Sequence, residues 1–379
     1  MKALKIGVLA AALLTTVPAM AEVHVGVILS LTGPAASLGI PEKKTIELFP
    51  KKIGGEGIKY TILDDGSDPT TAVKDARQLI DQDHVDVIIG PTITPNGLAI
   101  IDVVAERKVP DIAIVPGISN PVTDKTKWVF SVPQSNTLMA HAVVANMLKQ
   151  GIKKVAFIGF SDAFGEAWWK AFSADAKVSG IDIVANERYA RTATSVTGQV
   201  LHILAARPQA VLVGASGTPA ALPARALKQV GFTGQIYQTH GVANPDFLRV
   251  CGADCNGTLV PVSPGLVASQ LPDSTPFRAA AMKMQETYEK VYGNTLSQFT
   301  ANAWDSGVLF EHALPIALKT AKPGDKVAFR AALRDALESL KGIPAADGIY
   351  TMSPVDHNGL DDRAVVMVRI QDGAWKLVK

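Results

Sequence analysis

The stretch from Asp86 to Pro121 reads D-V-I-I-G-P-T-I-T-P-N-G-L-A-I-I-D-V-V-A-E-R-K-V-P-D-I-A-I-V-P-G-I-S-N-P. Two apolar runs, Val85 to Ile89 and Ile112 to Val115, have the length of buried parallel strands. The period between them places Leu98, Ile101, Val104 and Ala105 on one side of a helix. This is a β-α-β unit. Each strand runs into a turn at the same edge of the sheet, Gly90 to Pro95 and then Pro116 to Pro121, and open α/β sheets bind ligands outside that edge. Thr94 is expected to cap the helix, with Pro95 in its first position and the amides of Asn96 and Gly97 facing whatever sits above. The same residues also fit a purely structural role, in which the Thr94 hydroxyl closes the helix and Ser119 braces a loop, so the rest of the chain has to decide.

Working outward, Val23 to Leu29 is an apolar strand followed by the turn S-L-T-G-P-A-A-S-L-G and a helical stretch to about Pro50. Tyr60 to Asp65 is a second strand. D-D-G-S-D-P then leads into a helix that packs through Ala72, Ala76, Leu79 and Ile80. Asp64, Asp65 and Asp68 lack the further carboxylate that would complete an oxygen cage, and Asp68-Pro69 is an ordinary helix start. After the central unit, Lys127 to Val132 is extended and Pro133-Gln134-Ser135 reads as a passage out of a first lobe. The alternation then restarts with strands at Val155 to Phe160, Ile181 to Tyr189, Ala210 to Val213 and Gln235 to Gln238. Such repetition predicts two doubly wound sheets in series. V-P-V-S-P-G, within Leu259 to Leu266, marks a second passage. Helices are expected from Pro276 to Tyr292, Ala301 to Lys319 and Lys326 to Lys341 before short closing strands.

The chain has 379 residues, 47% hydrophobic and 19% charged, enough for two domains with substantial cores. Residues 1–21 read as a secretory leader: Lys2 and Lys5, an apolar centre from Ile6 to Val17, and a small-x-small site at Ala19-Met20-Ala21. Its removal takes two lysines from the 37 basic residues and leaves 35 against 35 acidic ones. A neutral mature chain gives no reason to expect nucleic acid or an anionic membrane surface as partner. With no cysteine after the leader's apolar centre, a lipid anchor is not expected. In an oxidising compartment Cys251 and Cys255, in C-G-A-D-C, are expected to close a small disulfide loop; with only His240 nearby they make a poor zinc site.

Enzyme motifs do not fit. V-G-A-S-G-T-P has Thr218 where a nucleophile elbow needs glycine. G-F-S-D-A-F-G-E lacks the lysine or the third glycine of a phosphate loop, and no His-Glu-x-x-His occurs. A ligand-sensing regulator is the other alternative, disfavoured by the lack of a fused output domain.

Taken together, V-G-V-I-L-S-L-T-G-P, L-D-D-G-S-D-P, V-I-I-G-P, P-G-I-S-N-P, F-G-E-A and T-H-G-V-A-N, in this order and spacing, resemble the periplasmic solute-binding proteins of branched-chain amino-acid type ABC transporters. The resemblance covers nearly all of the mature chain. It implies an α/β clamshell of two Rossmann-like lobes, 22–134 plus 263–347 and 135–262 plus 348–379, joined by three hinge crossings near Pro133 to Asn136, Pro261 to Pro264 and Gly348 to Ser353. It further implies a monomer in the periplasm, without cofactor, that closes on a small solute and presents it to a membrane permease. Carried over by position, the ligand loops fall on Ser37 and Leu38, Thr94 and Pro95, and Gly117 and Ser119 in the first lobe. Phe164, Ser216, Gly217 and His240 follow in the second, with Phe299 near the mouth. Where amino-acid binders are expected to place an acid for the ammonium group, this chain has His240. Together with T-H-G-V-A-N, similar to an aromatic-acid branch of the family, this implies an aromatic monocarboxylate or an aryl α-keto acid, with a branched-chain or aromatic amino acid as the alternative.

Overall fold

The computed structural model describes residues 22–378; the expected leader lies outside them. The first sheet is built on β1 (Val23–Leu29), which is buried along its whole length. It is joined by β2 (Lys52–Ile53), β3 (Glu56–Asp64), β4 (Val87–Ile89), β5 (Asp111–Ala113) and β6 (Val129–Ser131) in the order β2-β3-β1-β4-β5-β6. β1 pairs in parallel with both β3 and β4, so the strand order reverses between β1 and β4. Side chains alternate across β1. Val25 and Val27 enter a core with Phe310, Leu314, Phe329 and Leu333, while Ile28 joins Leu79, Ile100 and Val104 on the other face.

The connecting helices are α1 (Ala36–Ile46), α2 (Pro69–Arg77) and α3 (Thr94–Arg107). α2 starts on Asp68, whose carboxylate accepts from the Thr71 amide at 2.8 Å, with Pro69 next in line. Asp64 and Asp65 accept from the Gly66 and Ser67 amides, which fits an acidic cluster that shapes turns. The packing face of α3 differs from the expected one. Gly97, Ile100, Val103 and Val104 are buried, whereas Leu98 is 46% exposed. The cause is Gly97: a Cβ there would lie 2.8 Å from Val115 and 2.9 Å from Ile118, so the helix can approach the sheet closely only on that row.

The second sheet follows α4 (Asn136–Lys149) and comprises β7 (Lys154–Phe160), β8 (Asp182–Tyr189), β9 (Ala210–Gly214), β10 (Gln235–Gln238) and β11 (Leu259–Val262). Its helices are α5 (Ala163–Val178), α6 (Thr197–Ala205), α7 (Ala221–Gln229) and α8 (Pro245–Cys251). Cys251 and Cys255 are joined at the end of α8. The last third of the chain supplies α9 (Arg278–Tyr292), α10 (Gln298–Ala317), α11 (Lys326–Ser339), a hairpin of β12 (Ile343–Pro344) and β13 (Ile349–Tyr350), and finally β14 (Val366–Gln371) and β15 (Ala374–Leu377). The second sheet has the order β15-β14-β11-β10-β9-β7-β8, with β14 antiparallel to both of its neighbours, β11 and β15. Its own reversal falls between β7 and β9. The two sheets and their helices are the α/β, doubly wound arrangement expected. Met139, Val143 and Met147 of α4 belong to the second core, and α10 and α11 return to the first.

Two expected crossings are displaced. Leu266, Val267, Leu271 and Phe277 still pack on the second core, so the chain does not rejoin the first lobe at residue 263. Nor does it leave at Gly348 to Ser353: Tyr350 and Met352 lie in the first core, His357 stacks on Phe130 with ring centres 4.2 Å apart, and Asn358 donates to the Ser131 and Pro133 carbonyls. The assignment of 348–379 as a whole to the second lobe is therefore corrected. A polar cluster ties the connections together. Ser263 donates to Asp347, and Asp305 on α10 accepts from the Ala346 and Asp347 amides at 2.7 and 2.8 Å. The Tyr350 hydroxyl lies 3.1 Å from Asp305 and 2.9 Å from the Val132 carbonyl.

Candidate functional site

Turns at the C-terminal edges of both sheets converge on one small cavity, as the two strand reversals require. The first wall brings Leu38 from α1, Thr92, Ile93 and Thr94 after β4, and Ile114 and Pro116 after β5. The start of α10 adds Phe299 and Asn302. The second wall brings Phe164 after β7, Arg191 after β8, Ser216 after β9, and His240 with Gly241 after β10. The walls stand close together, leaving about 20 Å³, room for one water molecule.

Of the residues selected from sequence, Leu38, Thr94, Phe164, Ser216, His240 and Phe299 line the cavity. Ser37 and Gly217 meet at its rim: a Cβ on Gly217, at φ +64°, would lie 2.9 Å from Leu38 Cδ1 and 3.2 Å from Ser37 Oγ. Ser119 is buried but is not part of the lining, Pro95 is half-buried, and Gly117 is exposed. Arg191, Thr92 and Asn302 were not foreseen. Asn302 sits one helical turn beyond Phe299, and Arg191 stands two residues past the end of β8, at the same edge as the other loops. Those placements were the available signals.

On the first wall the expected cap is corrected. α3 is capped by Ile93 and Thr94 is already helical; its Oγ1 is buried without a partner. The Gly97 amide donates to the Ile93 carbonyl at 3.0 Å and is not free for a ligand. Ser37 Oγ, Ser119 Oγ and Asn302 Oδ1 are likewise buried and unpartnered. Buried polar atoms ordinarily find partners, so a cluster of unpartnered ones beside a cavity marks a place prepared for something else. Beneath the wall Thr92 donates to Glu42 at 2.5 Å and accepts from the Ser30 amide at 3.0 Å. Burial raises the Glu42 carboxyl well above its ordinary range. Ala35, Leu38, Ile93 and Phe299 form a separate apolar cluster.

On the second wall His240 is enclosed by aromatic rings, its centre 5.8 Å from Phe164 and 5.6 Å from Trp168. Burial pushes its imidazole down to about 3, so it is neutral at physiological pH, and Nδ1 has no partner. Arg191 donates to Asp162 and to Ser216. Among the described residues, none that lines the cavity is an aspartate or glutamate.

The chain matches the family described as periplasmic binding protein over residues 22–374. It is 42% identical to an extracellular ligand-binding receptor of Rhodopseudomonas palustris HaA2, with a TM-score of 0.91, covering 95% of this chain and all of that one. It is 27% identical to a Brucella melitensis protein named Leu/Ile/Val-binding protein homolog 3, over 64% of this chain and 67% of the relative. At 19% identity and a TM-score of 0.80, covering 94% of this chain and 95% of the other, it shares its fold with an R. palustris ABC transporter solute-binding protein solved in complex with benzoate.

Proposed function

Because the chain belongs to the periplasmic binding protein family, we propose that it holds an aromatic monocarboxylate or aryl α-keto acid between its two walls and hands it to the permease of an ABC importer. The leader read in residues 1–21 would deliver it to the periplasm. The observation that carries the ligand class is the pairing of a neutral, buried His240 with a lining that lacks any acidic side chain. A zwitterion taken out of water would bring an ammonium group with no counter-charge, which is costly. A carboxylate, by contrast, is met by the unpartnered Thr94 hydroxyl at the start of α3, where the helix dipole favours negative charge. Ser119, in the loop after β5 and outside the lining itself, has a buried hydroxyl without a partner and is the second hydroxyl assigned to it. Phe164 and Phe299 supply flat apolar surface. Ligand contacts to both walls would favour the closed form, and entry requires the walls to part. The benzoate-bound relative supports only that this fold accommodates such an acid.

A branched-chain amino acid is the competing reading, favoured by the name of the Brucella relative. Thermal unfolding with benzoate, phenylglyoxylate, leucine and phenylalanine separates the two. An acid at ~100 times its dissociation constant should stabilise the protein by about 2.7 kcal/mol. Stabilisation by leucine and by none of the acids would reject the aromatic-acid reading.

A further inference from the structure

The cavity has a second polar corner that the carboxylate does not need. Arg191 reaches the lining with its side chain only 11% exposed. Nε and Nη2 donate to Asp162 Oδ2 at 3.0 and 2.7 Å, and Nη1 donates to Ser216 Oγ at 2.8 Å. The guanidinium also lies 4.2 Å from the centre of the Phe160 ring. Asp162 is held in turn by the start of α5, accepting from the Phe164 and Gly165 amides at 3.0 and 3.2 Å. A guanidinium has five N–H donors, of which these bonds use three; among the described residues the other two have no acceptor. Ser216 accepts from Arg191 and so keeps its own proton to donate. The corner is a rigid set of donors looking for acceptors.

Charge decides what fills it. Asp162 already balances Arg191, and among the described residues no other cation lines the cavity. A second carboxylate here would be a buried anion beside Asp162. A neutral oxygen accepts the same bonds without adding charge. Resting on the aromatic-acid reading above, we propose that Arg191 and Ser216 select, among aromatic monocarboxylates, those bearing a neutral hydrogen-bond-accepting oxygen at the end of the ring opposite the carboxylate. An acid without that oxygen leaves two desolvated donors unpaired in the complex, the situation in which sites discriminate most strongly.

Calorimetry at neutral pH with benzoate, 4-hydroxybenzoate, 4-methoxybenzoate and terephthalate tests this, with phenylacetate and 4-hydroxyphenylacetate as a longer-reaching pair. The methoxy compound isolates acceptance, because it cannot donate. The oxygenated monoacids should bind about tenfold tighter than their parents. In Ser216→Ala that ratio should fall below about twofold; in Arg191→Met, which leaves Asp162 without its counter-charge, all the acids should weaken and the ratio should likewise fall below about twofold. Ser216→Ala carries the test if Arg191→Met does not fold. A ratio near one in the wild type, a ratio that survives both variants, or terephthalate as the tightest ligand would each overturn the proposal. If leucine binds and none of these acids does, the ligand class itself has failed, a result distinct from acids that bind without regard to the distal oxygen.

Discussion

At the connections between the lobes, Asp305 accepts two amide hydrogen bonds and contacts Tyr350, and Ser263 donates to Asp347 while its own amide donates to Gln298 at 2.9 Å. At the cleft, Thr94, Ser119, Asn302 and His240 are just as deeply buried, and each has a polar atom with no partner. Both regions are built from short polar side chains at the ends of strands and helices. In the first most are occupied by the protein itself, although Asp347 Oδ2, Gln298 Nε2 and the Gln134 side-chain amide have no partner; in the second they are left open. A buried group that is satisfied stabilises one arrangement of the chain, and a buried group left open stabilises only what arrives to pair with it.

The contrast is tested most severely at Asp305. Replacing it with alanine strands the Ala346 and Asp347 amides and removes one of the two partners of Tyr350. Urea unfolding of Asp305→Ala should show a loss of roughly 3–5 kcal/mol. A loss below about 1 kcal/mol would mean that the hinge is no more satisfied than the cleft.

The two regions also differ in the sign of their pH dependence. Burial pushes the Asp305 carboxyl up to about 7 and raises Asp347 as well, in part through repulsion from Asp305. The proton so retained has a use, because the single Tyr350 proton cannot serve both Val132 and Asp305; a protonated Asp305 can donate to the phenol oxygen instead. Between about pH 4 and 7 the folded hinge therefore binds more protons than the unfolded chain, and its contribution to stability falls as pH rises. His240 runs the other way. With its folded value near 3 and its ordinary value 6.5, the folded state binds fewer protons across that window, so its contribution grows as pH rises. The stability gap between wild type and His240→Gln should widen with pH between pH 4 and 6, by up to about 1.4 kcal/mol per unit. A gap independent of pH would show that the imidazole is not held neutral, and the case against an ammonium ligand would go with it.

The regions differ again in how far their residues could be read from sequence. Strands β1 and β10 were legible to the residue, because an apolar run bounded by polar turns leaves little choice of ends. Six of the thirteen residues of the cavity lining were legible too, since the strand-end loops of a doubly wound sheet must meet. The face of α3 was not: Gly97 set it through contacts with Val115 and Ile118 that a helical period does not contain. Arg191 was missed because its role depends on Asp162 and Ser216, 29 and 25 residues away in sequence. The last crossing was misplaced for the same reason, since His357 and Asn358 are held to the first sheet by partners more than 200 residues earlier.

The smallest expected effect sharpens the comparison most. Thr94→Val keeps the shape of the side chain and removes only its hydroxyl. If that hydroxyl has no partner in the free protein, its loss removes a desolvated polar atom and no bond. The folding stability should then stay within about 0.5 kcal/mol of the wild type, or rise. The affinity for the carboxylate ligand, in contrast, should fall by roughly 1.5–3 kcal/mol, the usual worth of a hydrogen bond to a charged group. Urea unfolding and calorimetry on the same variant read the two quantities separately. A drop of 1 kcal/mol or more in stability would mean that Thr94 is already bonded in the free protein. The open cleft and the saturated hinge would then be the same kind of region.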